Sequence, residues 1–253
     1  MEGYDAPTYG DRIADVYDEW YAELDPAPAV EFLAGLAGEG RALELAIGTG
    51  RIALPLAERG VEVHGIDASE RMVEKLRAKP GGDRIPVSIG DFADVGVEGT
   101  FRVVFVAFNT FFALEDQEEQ VRCFANVASH LDEDGVFVIE AFVPDLTRFD
   151  RGQRVSSPRM GLDHVLLDVS QHDPVAQVSF SQHVLIEDGR TSIYPVRVRY
   201  AWPSELDLMA RLAGLRLRAR HADWSGTPFT ADAGSHVSVY ERVAATAERA
   251  STS

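Results

Sequence analysis

The 253-residue chain contains one cysteine, Cys123. An internal disulfide framework and a cysteine-based metal site are thereby excluded. In "QVRCFANVASHL" the thiol falls on an amphipathic helical pattern, where a small buried hydrophobe is expected. Lysine is nearly missing: Lys75 and Lys79 are the only two. Positive charge is scarce altogether, with 24 Lys and Arg against 41 Asp and Glu and a net charge of −17. Without a basic cluster, neither nucleic acid nor an anionic membrane is expected as a partner. No apolar run approaches the ~20 residues of a membrane span. The start, "MEGYDAPTYGDRIADVYDEW", reads as neither a signal nor a transit peptide, so the cytoplasm is the expected compartment. Repeats are absent, and no His/Asp/Glu cluster has metal-ligand spacing, so no metal is expected.

What remains is ordinary globular material, 45% hydrophobic and 26% charged, in a length that suits one α/β domain carrying an insertion. Residues 11–24 and 27–37 show apolar spacing of two helices. Then strands and helices alternate. "RALELA", "VEVHGI", "IPVSIG", "FRVVFVAF" and "GVFVIEAFV" read as strands. "RIALPLAERG", "SERMVEKLRAKP" (with Ser69 as N-cap) and "DQEEQVRCFANVASHL" read as helices. This rhythm predicts a parallel sheet covered on both faces. After Pro144 it changes. "HVLLDVSQHD", "AQVSFSQHVLIED" and "TSIYPVRVRY" alternate with period two between turn signals, which predicts an inserted antiparallel unit. A helix, "PSELDLMARLAG", and two strands, "LRLRARHAD" and "HVSVYERV", follow.

The string "ALELAIGTGR", residues 42–51, carries the chemistry. A strand ends, glycines let the backbone turn close to a ligand, and a helix N-terminus offers free N–H groups. As Gly48-x-Gly50-x-x-Ala53 with Asp67 ending the next strand, it satisfies a dinucleotide fingerprint. A nicotinamide-linked oxidoreductase, NAD(P)-dependent, is therefore one reading. Four features favour another. Glu44 lies inside the first strand, where a buried carboxylate needs a partner and a ligand ammonium would supply one. "GDFAD", residues 90–94, follows the third strand with an acid and an aromatic suited to an adenine. About 40 residues precede the first strand. A helix and an apparent hairpin close the chain.

This set resembles the class I S-adenosylmethionine-dependent methyltransferases over residues 41–143 and 203–243. The resemblance implies a doubly wound, Rossmann-like, seven-stranded, mostly parallel α/β sheet, with S-adenosyl-L-methionine as cofactor and S-adenosyl-L-homocysteine as product. It implies that Glu44 supports the loop and the methionine ammonium, that Asp67 binds the ribose hydroxyls, and that Ala68, Met72, Asp91 and Phe92 meet the adenine. Gly48 and Gly50 form the turn, Ala46 stands where the family most often has glycine, and Phe108 ends the fourth strand beside the transferred methyl.

Among subfamilies, the layout resembles the small-molecule methyltransferases of bacterial secondary metabolism, including amino-sugar N-methyltransferases. That implies a helical lid over 1–40, an antiparallel cap after the fifth strand over 144–202, and a frayed tail over 244–253. Within the lid Tyr17 is expected to reach the cofactor. Trp20, Tyr21, Asn109, Phe112, Phe142 and Trp224 are expected to wall an apolar or aromatic acceptor. On the cap, His183 and Tyr194 fall on neighbouring runs, where either could serve as general base if the acceptor must lose a proton. N-, O- and C-methylation all stay open, and a monomer or homodimer is expected.

Overall fold

The computed structural model describes residues 3–243, so the expected tail lies outside the described residues. Five strands form the parallel half of the main sheet: β1 (Ala42–Leu45), β2 (Val63–Asp67), β3 (Val87–Ile89), β4 (Phe101–Val106) and β5 (Leu131–Phe142). Near the C-terminus come β10 (Leu215–His221) and β11 (Ser235–Arg242). The order is β10-β11-β5-β4-β1-β2-β3, with β11 antiparallel to both its neighbours. The alternating pattern predicts its parallel part, and the resemblance implies the mostly parallel seven-stranded whole. The order reverses at β1, which pairs with β2 on one side and β4 on the other. Ligands bind at such switch points because flanking loops diverge there and leave a crevice at the strand ends.

Alternate residues of the strands feed two cores. Leu43, Val104, Val106, Phe137 and Ile139 face helices α6 (Gln117–His130) and α7 (Pro203–Leu212), meeting Phe124, Val127, Leu206 and Met209. Ala42, Val103, Phe105, Val136 and Val138 face α3 (Ala27–Ala37) and α4 (Ala53–Glu58), meeting Val30, Leu33 and Leu56. Strands buried on both faces explain the continuous apolar runs "FRVVFV" and "GVFVI". Helix α5 (Glu70–Arg77) starts as the sequence predicts, Ser69 Oγ accepting the Met72 N–H.

A second, antiparallel sheet has four strands where the sequence shows three: β6 (Gln153–Met160), β7 (His164–Asp173), β8 (Val178–Glu187) and β9 (Arg190–Arg199). The extra strand, β6, is an edge strand, largely exposed, with Pro158 at a register shift between Ser156 and Arg159. An edge strand needs no alternating apolar face and tolerates proline at a bulge, so it leaves no period-two signal. The helix read over 11–24 is also different. It is two short helices, α1 (Thr8–Ile13) and α2 (Tyr17–Trp20), broken at Ala14–Val16. The break lets α1 lie along α5 while α2 crosses to the glycine loop. There Ile13, Ala14 and Trp20 bury against Met72 and against Leu166 of β7.

Candidate active site

At the C-terminal end of β1, the chain passes through Ala46 (φ 56°), Gly48 (φ 57°) and Gly50 (φ 81°), all left-handed. Only glycine takes this without cost, and Ala46 stores a strain of about 1 kcal/mol. A Cβ at Gly50 would also collide with Leu76. The loop bends over a cavity of about 350 Å³. Glu44 points into it, 5% exposed. Its Oε2 has no hydrogen-bond partner among the described residues. Burial pushes its pKa up to about 8, with the Arg51 charge and the Ala53 N–H pulling the other way. Arg51 lines the same cavity, its Nε also buried and unpartnered, its guanidinium 5.3 Å from the centre of the Phe108 ring. A carboxyl and a guanidinium in one buried space, each with a polar atom left unpartnered, fit a ligand carrying both charges, such as an amino-acid zwitterion.

Asp67 closes β2 beside them. Its Oδ2 accepts the Gly48 N–H at 2.7 Å and its Oδ1 the Ser69 N–H at 2.9 Å. Burial raises its pKa, and those two N–H groups hold it down. Each oxygen keeps a free lone pair for a ligand hydroxyl. Asp91, its Oδ1 accepting the Ala93 N–H at 2.8 Å, and Phe92 line the far end with Ala68 and Met72. Here sequence and structure converge: Tyr17, Glu44, Ala46, Gly48, Asp67, Ala68, Met72, Asp91, Phe92 and Phe108 share one cavity wall. Gly50 shapes the turn behind it.

Aromatic rings cluster at this cavity. Tyr21 stands 4.8 Å from Tyr17 and 5.0 Å from Phe108, centre to centre, and its hydroxyl meets that of Tyr9 at 3.3 Å. Burial pushes Tyr17 up to about 12 and Tyr9 well up also, so both stay protonated near neutrality. Phe108 and Asn109 are both left-handed, with φ of 55° and 66°. Glu140 of β5 holds them there: its Oε2 accepts the Phe108 N–H at 2.6 Å and its carbonyl the Asn109 N–H at 3.1 Å.

The residues expected at the acceptor disperse. Phe112 is fully buried against Phe142, 4.9 Å away, and Asn109 Oδ1 accepts the Phe142 N–H at 2.7 Å. Phe142 borders a second cavity of about 150 Å³, shared with Ser170, Ser179, Ser181 and Tyr200. His183 and Tyr194 sit opposite each other on β8 and β9 under Trp20, whose ring lies 4.9 Å from Tyr194 and 6.4 Å from His183. Burial lowers the His183 pKa, against the pull of Asp168 3.9 Å away. The structure does not bring these two to the Glu44 cavity. Nor does it bring Trp224, which packs on Phe32 at 5.7 Å in a surface groove. Sequence reading missed Arg51, Tyr4 and Glu140. Arg51 directly follows the second glycine, and Glu140 is an acid inside an apolar strand, the signal already used for Glu44.

A doubly wound sheet with this cavity at its switch point, an acid in β1 and an acid ending β2, defines the S-adenosylmethionine-binding class of methyltransferase. A family model described as "Methyltransferase domain" matches residues 42–135. The CcbJ methyltransferase from Streptomyces caelestis is 44% identical, covers 95% of this chain and all of its own, and superposes with a TM-score of 0.90. The cypemycin N-terminal methyltransferase of a Streptomyces species is 28% identical over 94% of this chain and 99% of its own. S-adenosylmethionine-bound CalS10 of Micromonospora echinaspora, an amino pentose methyltransferase, shares the fold at a TM-score of 0.68, with 19% identity over 90% of this chain and 97% of its own. The chain belongs to the class I S-adenosylmethionine-dependent methyltransferases, and its likeness runs to their secondary-metabolite branch. S-adenosyl-L-methionine is its cofactor. The dinucleotide reading of the glycine loop finds no support.

Proposed function

We propose that the enzyme methylates a nitrogen atom of a small molecule or short peptide in bacterial secondary metabolism. The observation that carries this reading is the aromatic cluster at the cavity, in which Tyr9, Tyr17 and Phe108 line the wall and Tyr21 packs on Tyr17 and Phe108. Aromatic faces exclude water from an arriving neutral amine and favour the cation that forms on it. The N-terminal methyltransferase among its full-length relatives supports the same choice of atom.

S-adenosylmethionine supplies a methyl group activated by a sulfonium, so the protein's work is orientation and desolvation. In this reading Glu44 takes the ammonium and Arg51 the carboxylate of the cofactor's amino-acid end. Asp67 takes the ribose hydroxyls through its free lone pairs. Asp91, Phe92, Ala68 and Met72 enclose the adenine. Tyr17 donates from the lid, and Phe108 backs the transfer point. Trp20, with His183 and Tyr194 beneath it, packs between lid and cap outside this cavity, and Phe142 borders the second one.

The test is incubation with S-adenosylmethionine and a panel of amines: peptides with free N-termini, secondary amines and amino sugars, each beside its phenolic or hydroxyl analogue. Mass spectrometry and NMR then locate the methyl. We expect transfer to nitrogen. Turnover confined to oxygen or carbon acceptors would refute the reading.

A further inference from the structure

Two lid aspartates meet three cations of α5 and the turn after it. Asp15 contacts Arg71 at 2.6 Å and Lys75 at 2.9 Å, and the Asp18 carboxylate contacts Lys79 Nζ at 2.8 Å. Arg71, Lys75 and Lys79 are spaced by four, and the chain's only two lysines are both spent here. Spacing by four puts Arg71 and Lys75 on one side of the helix, and Lys79 follows in the turn. The ladder also reaches the loops that carry the cofactor groups. Asp18 Oδ1 accepts the Thr49 hydroxyl at 2.6 Å, and Lys79 Nζ donates to the Thr49 carbonyl at 2.9 Å. Asp11 Oδ1 accepts the Ser69 hydroxyl at 2.6 Å. Thr49 lies between Gly48 and Gly50, and Ser69 donates its N–H to Asp67. One set of contacts thus ties Tyr9, Gly10 and Tyr17, the lid's part of the cavity wall, to both loops.

We propose that Asp18 and Lys79 are positioning residues that latch the lid over the bound cofactor, so that cofactor release is governed by a salt-sensitive ladder of ion pairs. Asp15 is about two-thirds exposed and Arg71 and Lys75 nearly half. Exposed pairs are individually weak and screened by salt. A cover that must open every turnover needs such fastenings, strong in sum and weak one at a time. Because the lid closes on a cavity it helps to form, whatever holds the lid also holds the ligand, and the coupling is reciprocal.

The test is the dissociation rate of S-adenosylhomocysteine from the full chain, by stopped flow, between about 0.05 and 0.5 M NaCl, a range over which the screening length falls severalfold. Release from the wild type is expected to quicken about tenfold across it. Lys79→Met should release about fivefold faster at low salt and lose about half of the salt dependence, while Lys79→Arg restores both. Arg216→Met, which removes an exposed pair with Glu241 at the far edge of the sheet, should follow the wild type. If Lys79→Met fails to fold, Asp18→Asn carries the same expectation. A wild-type rate and salt slope in the latch variants would overturn the latch, as would an equal shift in Arg216→Met. The inference rests on the cofactor assignment of the cavity: no binding to the wild type would remove both, whereas tight binding without latch dependence would remove only the latch.

Discussion

Glu44 shows what one residue costs and what it does. Burial holds its carboxyl near pH 8, far above the ordinary 4.5. A raised acid pKa means that the folded chain binds the proton more tightly than the unfolded chain. The stability this gives is complete below about pH 4.5 and is lost as pH rises through about 8. A ligand ammonium reverses the balance by favouring the carboxylate, so cofactor binding near neutrality should release a proton. Glu44→Gln removes the ionisation. Without ligand it should melt several degrees above the wild type at about pH 9 and together with it at about pH 5. Its S-adenosylhomocysteine affinity should fall at least about tenfold, since an ion pair with the ammonium becomes a contact with a neutral amide. Thermal melts at the two pH values and a calorimetric titration check both. Ala46 is a milder case: an alanine at φ 56° pays for its left-handed backbone but keeps the turn.

At the scale of elements, the site is built by strand ends and by what pins the loops after them. The β4 loop turns left-handed at two successive non-glycine residues, a conformation that persists only under constraint. Glu140, one strand over, is that constraint, through its side chain on Phe108 and its carbonyl on Asn109. Glu140→Ala should free Phe108 and lower kcat by about tenfold or more through misplacement at the transfer point. The affinity for S-adenosylhomocysteine should change much less, because Glu44 and Asp67 stand on other strands. Steady-state kinetics beside calorimetry separates the two. The N-terminal segment obeys the same logic. Its helical signal over residues 11–24 was legible, but the break between α1 and α2 was not, because Asp11 and Asp18 are drawn to different loops.

For the whole molecule, one buried histidine weakens the fold in acid. His236 is fully buried on β11, with Nδ1 beside Ser238 Oγ at 2.8 Å. Burial, aided by the Arg220 charge, lowers its pKa from 6.5 to about 4. Between those values the unfolded chain takes up a proton that the folded chain refuses. Stability from this residue is therefore intact above about pH 6.5 and declines by up to about 1.4 kcal/mol per pH unit toward pH 4. His236→Gln should flatten that part of the profile in urea titrations at several pH values. An unchanged slope would locate the acid sensitivity elsewhere.

The sequence by itself determined the parallel sheet, the glycine turn and the two acids around it. These depend on short-range patterns: doubly buried strands must be apolar throughout, left-handed turns select glycine, and an acid in an apolar strand needs a reason. Glu44 and Asp67 were legible for that reason, and Glu140 carried the same signal. Only the tertiary structure decided which distant groups share the cavity. Arg51 shares the cavity with Glu44, Tyr9 and Tyr17 arrive from α1 and α2, and His183, Tyr194 and Trp224 lie elsewhere. It also added the edge strand β6, whose pairing is supplied by β7 and not by its own pattern. Local periodicity fixes which face of an element is buried. It does not fix against what, because that depends on long-range packing, which is set only when the layers close on one another.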